Sequence, residues 1–453
     1  MTTMEHVDDK YVRVTHQVVL RHTKIGDYLI GESNVLEIDD ITIELLQKCN
    51  GLNTINDIAV WAAEKGGEPV EAAYDDLVGF LDKLAAEKII TYTDSPDFIS
   101  PIYAYDRPLS VIWEITYACN QNCAYCIARA GSPQPDELTR KEIDAVLKEL
   151  IEFKVGLINI TGGEPLLKKD TVLYIAQRAS ENGISLELLT NAVLVTPEVA
   201  QEISEAGIEY AQVSLDCVHP EVHDEQRGVK GAWEKAVTGI ANLKAVGVEV
   251  IVSATITSKN IQYIEETKKF LRKIADTIKI VPVLPMGRGE GSQYLLTPDM
   301  YFTYLKSKNT ENGILTDFIF PREQCSIGTT PVITPTGDVY PCMLTKYEEL
   351  KLGNVRETTL ESIYENSELL HELFSWNIDD IEPCNACWNK YYCGGGCRGT
   401  AFAYHGTIYK HDVYQCAARK RFARELLKHG HPATQKALQK LIRLVEPQVK
   451  SYG

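Results

Sequence analysis

The period of hydrophobic and polar positions changes several times along the chain. Over residues 12–30 apolar and polar side chains alternate around a turn signal at Lys24-Ile25-Gly26-Asp27, which predicts two or three short strands. After Asp39 and Asp40, the residues Ile41, Leu45 and Leu46 fall on a helical period that stops at Cys49-Asn50-Gly51. Further helices fit 55–63 and 70–88. Strands followed by three helices is the order of a winged helix, so 1–95 reads as a small separate domain. Residues 96–110 are rich in proline and polar side chains and read as a linker.

Strands and helices then alternate. Strands are predicted at 111–117, 157–160, 185–189, 210–215, 248–255 and 278–283, with amphipathic helices between them. In the first of these helices Ile143, Val146, Leu147, Leu150 and Ile151 share a face, and Thr139 with Glu142 forms a capping box. Six such units imply a parallel sheet with right-handed crossovers. The pattern alone fits an open doubly wound sheet and a partial barrel equally well, over a domain at 111–310. Periodicity weakens from about 320, where cysteines crowd. Residues 413–449 read as helical except at 430–432, completing a last domain at 311–453.

Composition narrows the class. With 24% charged residues and no apolar run near the ~18 residues of a membrane span, a globular chain without membrane partners is expected. Residues 1–9 are acidic and polar, unlike an export leader, which points to the cytoplasm. A formal charge of −17 argues against a nucleic-acid partner. The one basic run, Arg419, Lys420, Arg421 and Arg424, has the spacing of a solvated helix face. Without an export signal, the 12 cysteines point to metal rather than disulfides.

Three of them, Cys119, Cys123 and Cys126, follow the predicted strand at 111–117 in the spacing C-x3-C-x2-C. A cubane iron–sulfur cluster usually takes four thiolates, so three from one loop leave an iron open to a chelating ligand. Zinc favours four protein ligands in paired C-x2-C knuckles. Tyr125 is placed to pack against a bound adenine. After the second strand comes Thr161-Gly162-Gly163-Glu164-Pro165, whose glycines permit close backbone approach to a ligand and whose Glu164 suits an ammonium group. Arg288, between Gly287 and Gly289, reads equally as a cavity residue or part of a plain turn. Cys49 and Cys217 read as buried, inert thiols.

With both motifs in this order, residues 111–285 resemble the radical S-adenosylmethionine superfamily. The resemblance implies a partial (β/α)6 barrel in which the open iron chelates the methionine moiety. It also implies reductive cleavage to a 5′-deoxyadenosyl radical that abstracts a substrate hydrogen. By the same resemblance Thr190 and Asn191 contact ribose or methionine, and Ser214 with Arg227 holds the carboxylate; Cys217 replaces the family's usual glycine. The later cysteines, Cys325, Cys342, Cys384, Cys387, Cys393, Cys397 and Cys416, resemble a SPASM extension with two auxiliary [4Fe–4S] clusters, so three clusters are implied. Cys384, Cys387, Cys393 and Cys416 would hold the outer one. Cys325, Cys342 and Cys397 would hold the inner one, leaving its fourth site to an open iron or a non-cysteine ligand. Sulfatase-activating relatives carry an acid where this chain has Met343.

The N-terminal segment is similar to the peptide-recognition element of ribosomal-peptide maturation systems, through residues 31–38, 45–51 and the helix end at Leu77, Phe80, Leu81, Leu84, Ile89 and Ile90. In that family a leader peptide adds as an extra strand. The resemblance therefore implies a maturase of a ribosomally made precursor, forming a thioether or carbon–carbon crosslink or an oxidative decarboxylation. It would be reduced by a flavodoxin- or ferredoxin-type protein. Trp113, Glu114 and Tyr117 are candidate barrel liners, and no general base is identified. An enzyme of small molecules or tetrapyrroles, a sulfatase activator and an iron–sulfur electron carrier stay open.

Overall fold

The computed structural model describes residues 10–15, 19–23, 26–30, 35–96, 108, 110–153, 155–311, 313–315, 317 and 322–445. The chain divides into two compact units, Met1–Asp106 and Arg107–Gly453.

In the first unit, strand β1 (Tyr11–Val14) lies antiparallel between β5 (Asn50–Thr54) and β6 (Ile90–Thr93). A second antiparallel sheet runs in the order β2 (Val19–Thr23), β3 (Gly26–Ile30), β4 (Val35–Ile38). Three helices follow the predicted spans: Asp40–Lys48, Ile55–Gly66 and Val70–Ala86. Asp39 starts the first by accepting the Thr42 N–H at 2.8 Å, and Thr54 with Asp57 closes a capping box on the second. Val12, Val14, Leu46, Ile58, Leu81 and Ile90 form the core together with Cys49, whose thiol burial pushes up to about 12. Ile41 corrects the predicted pattern: it is 65% exposed, and Ile43 takes the core position instead. The predicted turn at 24–27 and the segment 31–38 lie partly outside the described residues.

The second unit is built on six parallel strands: β7 (Ser110–Glu114), β8 (Leu157–Thr161), β9 (Ser185–Thr190), β10 (Tyr210–Ser214), β11 (Glu249–Ile256) and β12 (Thr277–Pro282). Each pairs with the next in sequence. A doubly wound sheet reverses its strand order at a switch point; this one does not. The unbroken succession decides for the (β/α)6 winding of a partial barrel. Helix Arg140–Glu152 carries the expected capping box and buries Ile143, Val146, Leu147 and Leu150.

Beyond a two-stranded ribbon, β13 (Thr310–Glu311) with β14 (Ile314–Leu315), the described residues of the cysteine-rich part do not start a new sheet. β15 (Val332–Ile333) pairs parallel with β7, and β16 (Asp338–Tyr340) and β17 (Gly353–Asn354) continue antiparallel. An unclosed barrel leaves β7 with an unpaired edge, and β15 covers it. One nine-stranded sheet therefore runs across the position where sequence placed a boundary. At the C-terminal end the expected break falls at Gly430 and His431, between helices Val413–His429 and Pro432–Arg443, and Pro432 opens the second because a helix tolerates proline in its first turn.

Candidate active site

The first cysteine loop leaves the C-terminal end of β7 and is pinned from three directions. Gly163 N–H donates to Thr116 O at 2.7 Å and Glu164 N–H to Ala118 O at 2.8 Å. A Cβ on Gly162 or Gly163 would lie 2.3 Å from Thr116 O or 2.1 Å from Ala118 O. The glycines thus serve first as a backbone seam against the loop, where sequence had them admitting a ligand. From another side, Gly287 (φ +58) would place a Cβ 2.3 Å from Cys126 O. Arg288 beside it donates to Cys123 O and Ala130 O, both at 2.7 Å. Arg288 therefore both lines the cavity and clamps the loop. Glu137, which no motif announced, gathers Thr116 Oγ1, Tyr117 N–H, Gln134 N–H and Lys168 Nζ within 3.1 Å.

Inside this frame is a cavity of about 470 Å³. Cys119, Cys123, Cys126, Tyr125, Gly162, Gly163, Thr190, Asn191, Ser214 and Arg227 all reach its wall, so the fold collects candidates from four strand ends. Glu164 and Pro165 do not reach it. Glu164 is fully buried, and its carboxylate accepts from Thr190 Oγ1 (2.7 Å), Leu166 N–H (3.1 Å) and Asn191 N–H (2.8 Å). It joins the ends of β8 and β9 where sequence assigned it an ammonium group. Pro165 opens the short helix behind. Asn191 in turn donates to Asn120 Oδ1 at 2.7 Å, and the Tyr125 hydroxyl donates to Asp216.

The donor set fits a sulfur-ligated cluster. Gln121 N–H points at Cys119 Sγ (3.4 Å) and Arg227 Nη1 at Cys123 Sγ (3.8 Å), donors that favour thiolates. Burial pushes the Cys119 thiol up to about 11. Bound metal reverses that preference by deprotonating its thiol ligands. Among the described residues no three acidic, histidine or cysteine side chains converge on a single-ion position.

The later cysteines form two further groups. Cys384, Cys387, Cys393 and Cys416 line one small cavity with Asn389. Asn389 is 1% exposed, and neither of its side-chain amide atoms has a hydrogen-bond partner. A buried free donor is costly unless something in the cavity accepts from it, and cluster sulfurs would do so. Cys325 and Cys342 pack against one apolar cluster around Leu350 and Ile408. Burial pushes the Cys342 thiol up to about 12, with the nearby Cys397 and Cys325 adding to the rise. The basic run corrects the expectation of a plain solvated face: Arg419 and Lys420 line the four-cysteine cavity. Arg421 pairs with Asp299 at 2.6 Å, and Arg424 lies over the Trp388 ring. Cys217 is fully buried, as expected of an inert thiol.

A second cavity, of about 410 Å³, adjoins the first. Ile127, Ala128 and Met343 line both. Between them stands a group in which Glu114 and Tyr117 line the cavities as expected of barrel liners, while sequence reasoning missed their partner Lys346: its Nζ lies 2.6 Å from Glu114 Oε1, and Tyr117 donates to Glu114 Oε2 at 2.8 Å. The available signal was a lone acid within an apolar strand. Trp113 is buried off both cavities. Among the described residues no helix is long and apolar enough to cross a membrane.

Residues 113–271 match the radical SAM superfamily, and 325–388 match the SPASM iron–sulfur cluster-binding domain. In fold, the chain is similar to SuiB of Streptococcus suis bound to S-adenosylmethionine (TM-score 0.59, 16% identity, 89% of this chain and 99% of that one). It is also similar to anSMEcpe with bound AdoMet and the Cp18Cys peptide (TM-score 0.57, 19% identity, 75% and 99%). AdoMet-dependent heme synthase of Methanosarcina barkeri is 27% identical over 343 residues, 68% of this chain and 96% of that one. Mycofactocin maturase MftC of Mycobacterium tuberculosis is 30% identical over 317 residues, 66% of this chain and 80% of that one. On that match the chain belongs to the radical SAM superfamily, as an enzyme whose barrel is continued by a SPASM iron–sulfur domain.

Proposed function

We propose that this enzyme is a peptide maturase: it holds a ribosomally made precursor by its leader and modifies a core residue by hydrogen abstraction. The product would be a thioether, a carbon–carbon crosslink or an oxidative decarboxylation. The observation that carries the reading is the first unit, which has its own core and ends its β2–β3–β4 sheet in β4, where Leu36 is exposed. An edge strand of this kind suits addition of an extended peptide. The names of the relatives agree: one is a maturase, and SuiB has been solved with the precursor peptide SuiA.

Cys119, Cys123 and Cys126 would hold the cluster that chelates S-adenosylmethionine, with Thr190, Asn191 and Ser214, which line the same cavity, on the cofactor. Bound there, the cofactor supplies the carbon radical that takes the hydrogen atom. Cys384, Cys387, Cys393 and Cys416 would hold an outer auxiliary cluster, and Cys325, Cys342 and Cys397 an inner one with its fourth site open to another ligand. Three cubanes correspond to about twelve irons per chain. A flavodoxin- or ferredoxin-type protein would supply the electron.

A second reading, action on a tetrapyrrole, is favoured by the heme synthase match. One experiment separates them. The reconstituted protein is incubated without oxygen with reductant, S-adenosylmethionine and either a candidate precursor from the gene neighbourhood or a porphyrin. The maturase reading requires 5′-deoxyadenosine and a mass change in the peptide; turnover of the porphyrin alone overturns it. Cys123→Ala is expected to give no 5′-deoxyadenosine.

A further inference from the structure

The helix Pro220–Arg227 ends directly on the cysteine loop. Gln226 O accepts the Ala124 N–H at 2.9 Å and Arg227 O accepts the Asn122 N–H at 3.0 Å, so the helix end brackets Cys123 on both sides. Gly228 (φ +69) makes this approach possible, since a Cβ there would lie 2.8 Å from Asn122 O. The Arg227 side chain is then directed inward. Its Nε and Nη2 donate to Asp216 Oδ2 and Oδ1, both at 2.7 Å. Asp216 is fully buried and Arg227 is 7% exposed. Asp216 also accepts the Thr255 N–H at 2.9 Å and the Tyr125 hydroxyl. With one edge of its fork committed, the guanidinium has Nη1 left, and that atom donates to Cys123 Sγ at 3.8 Å. The Sγ here stands in for a cluster thiolate.

We propose that Arg227 and Asp216 together set the reduction potential of the centre held by Cys119, Cys123 and Cys126. Reduction adds one negative charge beside Cys123. A buried cation that donates to the thiolate stabilises that charge strongly, because little solvent screens it. Asp216 acts oppositely: it fixes the guanidinium in place while cancelling part of its field. Both are positioning residues that act through Cys123. The pair therefore predicts shifts of opposite sign for its two halves, which simple loosening of the site would not give. The inference rests on family membership alone and needs no peptide, so it stands or falls separately from the proposed substrate.

The test is an electron-resonance redox titration of the reconstituted full chain without substrate. Arg227→Gln is expected to favour the oxidised centre at least tenfold, a potential lower by about 59 mV for one electron. Asp216→Asn is expected to favour the reduced centre at least tenfold, and Arg227→Lys to stay nearer the parent than the glutamine variant. Shifts of the same sign in the two neutral variants, or shifts below tenfold in both, overturn the proposal. Should those variants not retain iron, the parent grown with 15N-arginine decides. A 15N coupling to the reduced centre that Arg288→Lys keeps and Arg227→Lys abolishes supports it, and no coupling in the parent overturns it.

Discussion

Lys346 Nζ lies 2.6 Å from Glu114 Oε1, tying a residue four positions beyond Cys342 to the end of the first barrel strand. The Glu114 side chain is 3% exposed and that of Lys346 14%. Removing one member of such a pair leaves an unpaired buried charge. Lys346→Met is therefore expected to cost about 3 kcal/mol of stability, measured by denaturant unfolding, and the added change Glu114→Gln to recover part of it. A single-variant loss under about 0.5 kcal/mol, the range of ordinary surface substitutions, would show that the pair does not join the two segments.

The glycine seam makes a prediction about metal retention. Gly163→Ala puts a methyl group 2.1 Å from Ala118 O, a backbone atom that cannot swing away. The loop carrying Cys119, Cys123 and Cys126 must shift, so iron per chain after reconstitution is expected to fall by about a third, the share of one cubane among the three proposed, and 5′-deoxyadenosine formation to disappear. Gly183→Ala serves as the comparison for stability, because its φ of +72 strains any side chain while nothing lies within 4 Å of its Cβ. Equal iron retention in the two variants would sink the seam.

His223 gives a pH dependence. It is fully buried, and its Nδ1 accepts the Asp216 N–H at 3.2 Å, which requires that nitrogen to be unprotonated. Burial lowers its pKa from 6.5 to about 4. A depressed histidine contributes stability in full above its unfolded pKa. That contribution fades as pH falls from about 6.5 to about 4 and is gone below, for a total of order 3 kcal/mol. Unfolding free energies measured at pH 7 and pH 5 should differ less in His223→Gln than in the parent. An unchanged difference would show that this histidine does not titrate with folding.

Peptide docking is testable at Phe80, which lies on the last helix of the first unit and is 36% exposed. If the leader packs there, Phe80→Asp should weaken precursor binding about tenfold, near 1.4 kcal/mol, in a fluorescence titration. Cofactor cleavage without peptide should be unchanged. Undiminished affinity would remove this helix from the docking site.

Local signals carry much of the sequence reading. The cap at Thr139 and the period-two strands place most elements within a few residues, because they depend on neighbours in the chain. The cysteine spacings and the two glycines mark the cofactor loop for the same reason. What local pattern could not settle was winding: only the unreversed strand order separates a barrel from a doubly wound sheet. Nor could it see β15 covering the edge of β7, since that pairing joins residues more than two hundred positions apart.

The same division runs through the site. Side-chain identity and short spacing were enough to nominate residues for metal and for a nucleoside cofactor, since ligand chemistry follows from those two properties. Folding settled what each group faces: Glu164 turned away to join two strands, Arg227 locked to Asp216, and Lys346 brought onto Glu114. Partners so distant along the chain meet only when the sheet is wound. No local pattern encodes which buried charge will neutralise which.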